Sequence, residues 1–149
     1  MSAHLPLTRR SLLLGSLVGA GALLVPGVAG AAEPATTTDW TGDTSANGWP
    51  ILTEPVSTSI EGSGGVVVSL AEGLPTLVLE HFLRRYLYEV AGTFQKGDVV
   101  GHRVSRAVAA AYESNHLSGT AVEVFGDRYP LGATDGMFPA ERRSVETIL

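Results

Sequence analysis

The sequence predicts one α+β domain behind an N-terminal leader, and three stretches carry that prediction. Val66-Val67-Val68-Ser69-Leu70 is a β-branched run behind the flexible turn Gly62-Ser63-Gly64-Gly65, which reads as a strand. Leu74 to Val90 repeats apolar residues at three- and four-residue steps, the period of an amphipathic helix. Thr120 to Phe125 alternates, with Thr120, Val122 and Val124 on one face and Ala121, Glu123 and Phe125 on the other. Strands mixed with helices in 149 residues leave room for one domain.

Composition narrows the chemistry. A net charge of −5 and a pI near 5.3 give no electrostatic footprint for nucleic acid. Cysteine is absent, so disulfides and thiolate metal sites are excluded. Any metal must be held by Asp, Glu or one of four histidines: His4, His81, His102 and His116.

In chain order, residues 1–32 read as an export signal. Arg9 and Arg10 sit directly before Ser11 and the uncharged run Leu12 to Val28, the pattern of a twin-arginine signal. Ala29-Gly30-Ala31 supplies small residues for cleavage. The competing reading is a retained anchor, but the run is at the short limit for a span and is broken by Gly15, Gly19, Gly21, Pro26 and Gly27. Delivery by the twin-arginine translocase to the cell wall or exterior is therefore expected, with membrane contact only through the signal. Residues 33–46 lack periodicity and are expected to be a disordered linker. Asn47-Gly48-Trp49-Pro50 then opens the domain, residues 47–149, as a turn followed by an aromatic anchor.

Within the main helix, Pro75 suits the first turn and Gly92 the position just past the end. His81 lies beside its polar face and is expected to be solvated. Lys96-Gly97-Asp98 marks a turn before the strand Val99 to Arg103, on which His102 and Arg103 point to opposite faces. Arg106 to Glu113 has strong helix propensity. Core packing is the commoner fate of a tyrosine, but Tyr112 is a candidate to line a groove. Glu123, flanked by Ala121 and Phe125 on its face, is costly to bury unless paired or bound to a cation, or unless that face is wet. Gly126 to Gly136 reads as a loop. Pro139 opens a last helix whose apolar stripe is Val145, Ile148 and Leu149.

The stretch of most chemical interest runs from Ser114 to Glu123. It holds an imidazole and a carboxylate, both able to bind a divalent metal, around a small-residue turn at Ser118-Gly119. Its order, Ser-x-His-x-x-Gly-x-Ala-x-acid, resembles the first zinc-ligand motif of the D-alanyl-D-alanine carboxypeptidases and dipeptidases of bacterial cell walls, the VanY-type metallopeptidases. Ser114, His116, Gly119, Thr120 and Ala121 match, and Glu123 stands where that family has Asp. The Asn47-Gly48-Trp49-Pro50 entry and the Pro130-Leu131-Gly132 turn are similar to the same family.

The resemblance implies a small, mainly antiparallel sheet with helices packed to one side. It implies that His116 and Glu123 bind a catalytic zinc, and that Arg103 steadies the scissile carbonyl or a substrate carboxylate. Ser114 and Arg106 are its candidate substrate-binding residues, and its substrate is the peptide stem of peptidoglycan. Read from the residues alone, Arg103 and Arg106 are better taken as a pair of surface arginines; the motif downstream is what raises Arg103, and Arg106 less, as site residues. In the family the closing segment carries a Trp-Gly-Gly-Asp-like stretch and a Glu-x-His, supplying the general base and the third zinc ligand. This sequence has no His after Glu123 and reaches Leu149 inside its last apolar stripe. The expectation is therefore a C-terminally truncated relative with an incomplete sheet and weak or absent activity, or a remnant that only binds cell-wall peptide.

Overall fold

The computed structural model describes residues 36–130 and 133–149. Arg9, Arg10, the run Leu12 to Val28, the start of the expected linker, and Leu131 and Gly132 of the Pro-Leu-Gly turn lie outside the described residues. The fold is α+β, with antiparallel two-stranded sheets and two packed helices.

Strand β2 (Val56–Ser59) and strand β3 (Val67–Leu70) form an antiparallel hairpin, with Thr58 opposite Val68 and Val56 opposite Leu70. Alternation decides which face of β3 is inside: Val68 and Leu70 are buried, whereas Val67 is exposed. Ser63 closes the hairpin turn, its hydroxyl donating to Ile60 O at 2.7 Å and accepting from Val66 N at 3.0 Å.

Helix α1 (Leu74–Tyr86) carries Pro75 in its first turn, then passes into one π-helical turn, Leu87–Ala91, closed by Gly92 N donating to Leu87 O at 2.8 Å. Its C-terminal half packs on β3, burying Leu83, Tyr86 and Leu87. Each fully buried leucine contributes about 1.5–3 kcal/mol. Tyr86, Phe94 and Phe125 form an aromatic cluster with ring centroids 5.8–6.3 Å apart. Burial of the Tyr86 ring pushes its hydroxyl pKa up to about 12. Leu74, Leu77 and Val78, in the first half of α1, remain exposed because the core lies against the other half of the helix.

Strand β4 (Val99–Val100) pairs antiparallel with strand β6 (Glu123–Val124), Val100 facing Glu123. Beyond β4 the chain runs on beside β3, with His102 N donating to Ser69 O at 2.7 Å. Gly101 permits this approach: a Cβ there would sit 2.2 Å from Ser69 O. Helix α2 (Pro139–Ile148) starts with Glu141 accepting from Phe138 N at 2.8 Å, and lays Val145 and Ile148 on the core edge; Leu149 is exposed.

Three expectations need correction. The linker assigned to residues 33–46 is already structured at Thr38–Asp39, strand β1, which pairs with strand β5 (Ala107–Val108). That pairing also overturns the helix expected over Arg106 to Glu113: β-ladder bonds at Ala107 and Val108 take priority over alanine's helix propensity, and only a 3₁₀ segment, Ala111–His116, follows. Trp49 is exposed and anchors no core; the tryptophan that is tied down is Trp40, whose indole N–H donates to Thr44 O at 2.8 Å.

Candidate functional site

His116 ends the 3₁₀ segment and is almost fully buried. Its Nδ1 lies 2.6 Å from Gly101 O. A carbonyl can only accept, so Nδ1 carries the proton and Nε2 keeps its lone pair. Burial, with the charge of Arg103 acting in the same direction, lowers the imidazole pKa, against opposing effects of the Gly101 bond, Glu123 and Glu113. The ring is therefore neutral at pH 7. A carbonyl bond to one ring nitrogen is the arrangement that orients a metal-binding histidine.

The loop holding His116 is pressed against the end of β3. Gly119 O accepts from Ala71 N at 2.8 Å, and Gly119 N donates to His116 O at 3.1 Å. Gly119 has φ 66°, and a Cβ on it would lie 2.5 Å from Ala71 N. From the other side the Asn47 turn clamps the loop: Ala46 N donates to Ser114 Oγ at 2.8 Å, Asn47 N to Asn115 Oδ1 at 3.1 Å, and Asn47 Nδ2 to Thr120 Oγ1 at 2.8 Å.

Glu123 and His116 line one groove of about 330 Å³, with Tyr112, Glu113, Gly126 and Tyr129 among its walls. Arg103 reaches Glu123 directly, Nη2 to Oε2 at 2.5 Å, and both side chains are 38 % exposed. Arg103 is also tied to His116 through the backbone, its N–H donating to His116 O at 3.1 Å. The carboxylate that needs a cation beside Ala121 thus has one, and it is a guanidinium. Phe125 does not share its face: with φ 54° it leaves the strand geometry and turns into the aromatic core.

The structure brings Arg103, His116 and Glu123 together and places Tyr112 on the same groove. It separates the other candidates. Ser114 is fully buried, and its hydroxyl donates to Ala111 O at 2.6 Å while accepting from Ala46 N, so it braces the fold and is not free for substrate. The Arg106 guanidinium donates to Trp40 O and Gly42 O, both at 3.0 Å, and holds the N-terminal segment. His102 faces away, with Nε2 3.1 Å from Leu52 O, and His81 is exposed on α1. Glu113, Gly126 and Tyr129 are groove residues with no sequence signal beyond their neighbourhood; Glu113 also accepts from Ala109 N at 2.8 Å.

The donor set fits zinc in part. The His116 tautomer suits a metal, and Glu123 lies in the same groove. Among the described residues, however, no group of three or more His, Cys, Asp or Glu side chains gathers to hold a metal, whereas a catalytic zinc commonly has three protein ligands. Asp127, Asp135, Glu141 and Glu146, the acids after Glu123, do not line the groove. No described helix is long and apolar enough to cross a membrane. Comparisons with family models, curated proteins and solved structures find no match.

Proposed function

We propose that this chain is an exported zinc-peptidase-like protein of the D-alanyl-D-alanine carboxypeptidase type, directed at the peptide stems of peptidoglycan. The observation that carries the reading is the His116 ring, held by Gly101 O with Nε2 left as the donor, in one groove with Glu123. His116 and Glu123 are two ligands for zinc, which when bound polarises a carbonyl and acidifies water. Arg103 supplies a fixed cation for a carbonyl oxygen or a peptide carboxylate. The Arg9-Arg10 pattern supports export by the twin-arginine translocase.

Because no third metal-binding side chain gathers with His116 and Glu123 among the described residues, hydrolysis by this chain is expected to be very weak or absent. Calorimetric titration of zinc into the purified chain tests the metal half of the reading: binding in the wild type, lost in His116→Ala, is expected. Absence of zinc binding sinks it. The second reading, a non-catalytic cell-wall peptide binder, is favoured by the Arg103–Glu123 pair and by the lack of a third metal-binding side chain among the described residues. A stem peptide that binds in the presence of chelator, with unchanged affinity after zinc is added, would establish it over the first.

A further inference from the structure

Among the described residues, strand β2 is paired along one edge only, with β3. Ile60 N donates to Val66 O at 2.9 Å, and in an antiparallel ladder every second residue bonds the same neighbour, so Val56 and Thr58 also bond toward β3. The N–H and C=O groups of Ser57 and Ser59 therefore point outward, where no described backbone group bonds them. Monomers blunt such an edge with lysine, proline or a bulge inside the strand; Val56–Ser59 carries none of these.

Uncovered apolar surface flanks the same edge. Leu74, Leu77 and Val78 follow each other at helical spacing and are more than half exposed. Val56 is exposed too, and it shares its face of the hairpin with its partner Leu70. Helix and strand are tied by Glu80 accepting from Thr58 Oγ1 and by the Arg84–Glu61 pair at 3.0 Å, and Leu77 and Ser59 line one hollow between them. The unpaired edge and the apolar stripe thus open to the same side.

We propose that this side is a homodimer interface: β2 pairs antiparallel with β2 of a second copy about a two-fold axis at Thr58, which joins the hairpins into one continuous sheet beneath the two α1 stripes. A closed two-fold contact must be self-complementary, and the charges are arranged for it. With Thr58 on the axis, Ser57 pairs with Ser59 of the second copy and exchanges both backbone bonds, while Thr58 faces Thr58 across the narrow pair. Glu61 comes opposite Pro55 of the second copy and Glu54 opposite Gly62, so no two carboxylates are directly opposed. Arg84, paired with Glu61, brings a cation to the end of the edge where Glu54 of the second copy lies. An axis at Ser57 would instead set Ser59 against Pro55, which has no N–H to give. The contact is independent of the His116 groove and of any metal.

Because the chain has no cysteine, a single introduced thiol reports the contact. Thr58→Cys lies on the axis, where facing Cα atoms are about 4.5 Å apart and within disulfide reach. Mild oxidation should convert it to a covalent dimer about tenfold faster than Ser57→Cys, which faces Ser59 rather than itself. Sedimentation equilibrium of the wild type should show a reversible dimer with a Kd on the order of 10 μM. Ser57→Pro removes an outward N–H and leaves the hairpin bonds intact, and Leu77→Lys charges the stripe; each weakens association about tenfold or more, with the unfolding midpoint of the dilute chain near that of wild type. These two variants decide the matter if Thr58→Cys does not fold. A wild type still monomeric at about 500 μM overturns the proposal. So does association that neither variant weakens, which assigns the contact to another part of the chain, and so does equally fast oxidation of the two cysteine variants, which removes the axis from Thr58.

Discussion

Replacing Gly119 by alanine probes how the His116 loop is held. Two costs add at this position. The backbone is left-handed, φ 66°, which costs a residue with a Cβ about 1–2 kcal/mol. The new Cβ also meets main chain, 2.5 Å from Ala71 N and 2.9 Å from Leu70 C, and neither atom belongs to a side chain that can rotate away. The loop must lift, and the bond from Ala71 N to Gly119 O lengthens or breaks, at about 1–2 kcal/mol more. The expected loss is therefore about 3 kcal/mol. Gly48 is the control: its φ is 84°, but a Cβ there meets nothing within 4 Å, so Gly48→Ala carries only the conformational cost of about 1–2 kcal/mol. Urea denaturation followed by tryptophan fluorescence and circular dichroism measures both; with a slope of about 1.5 kcal/mol/M, Gly119→Ala lowers the midpoint by roughly 2 M. Equal losses for the two variants refute the argument, because the close approach to β3 would then contribute nothing.

Two further outcomes are expected. Burial lowers the His116 pKa below its unfolded value of about 6.5, so the unfolded chain takes up the proton first. Stability present above about pH 6.5 is lost as pH falls through that window; urea midpoints taken in chelator should fall toward acid less steeply in His116→Gln than in wild type. Arg106→Ala removes two bonds to the Trp40 and Gly42 carbonyls and should cost about 1–2 kcal/mol, with faster proteolysis near Trp40 and unchanged zinc affinity. A loss of zinc affinity in Arg106→Ala would return that residue to the site.

Much of the scaffold is legible because its signals are local. The three- and four-residue steps of α1, the β-branched run of β3 and Pro139 at the start of α2 each declare themselves within a few residues. What is hidden is non-local. Thr38–Asp39 has no periodicity of its own, and its partner Ala107–Val108 lies in an alanine-rich tract whose propensity is helical. Within the site, the need of the Glu123 carboxylate for a cation can be read from its flanks, but the identity of that cation depends on a residue 20 positions earlier. Ser114 shows the converse: a serine in a ligand-like motif is a brace because an N–H from 68 residues away reaches it.

The clamp between the Asn47 turn and the His116 loop also sets an order of events as the chain folds. Ala46 and Asn47 leave the ribosome long before Ser114, Asn115 and Thr120, so the bonds that shape the loop close across separations of 68 to 73 residues. Closing so long a span costs only slightly more than closing a shorter one, about 0.6 kcal/mol per doubling, but it happens late. The hairpin of β2 and β3 and helix α1 form from neighbouring residues and can precede it. His116 is thus expected to acquire its geometry in one of the last steps of folding. Pulse-labelled hydrogen exchange should find the amides of Leu117 and Gly119 protected after those of Val68 and Leu83.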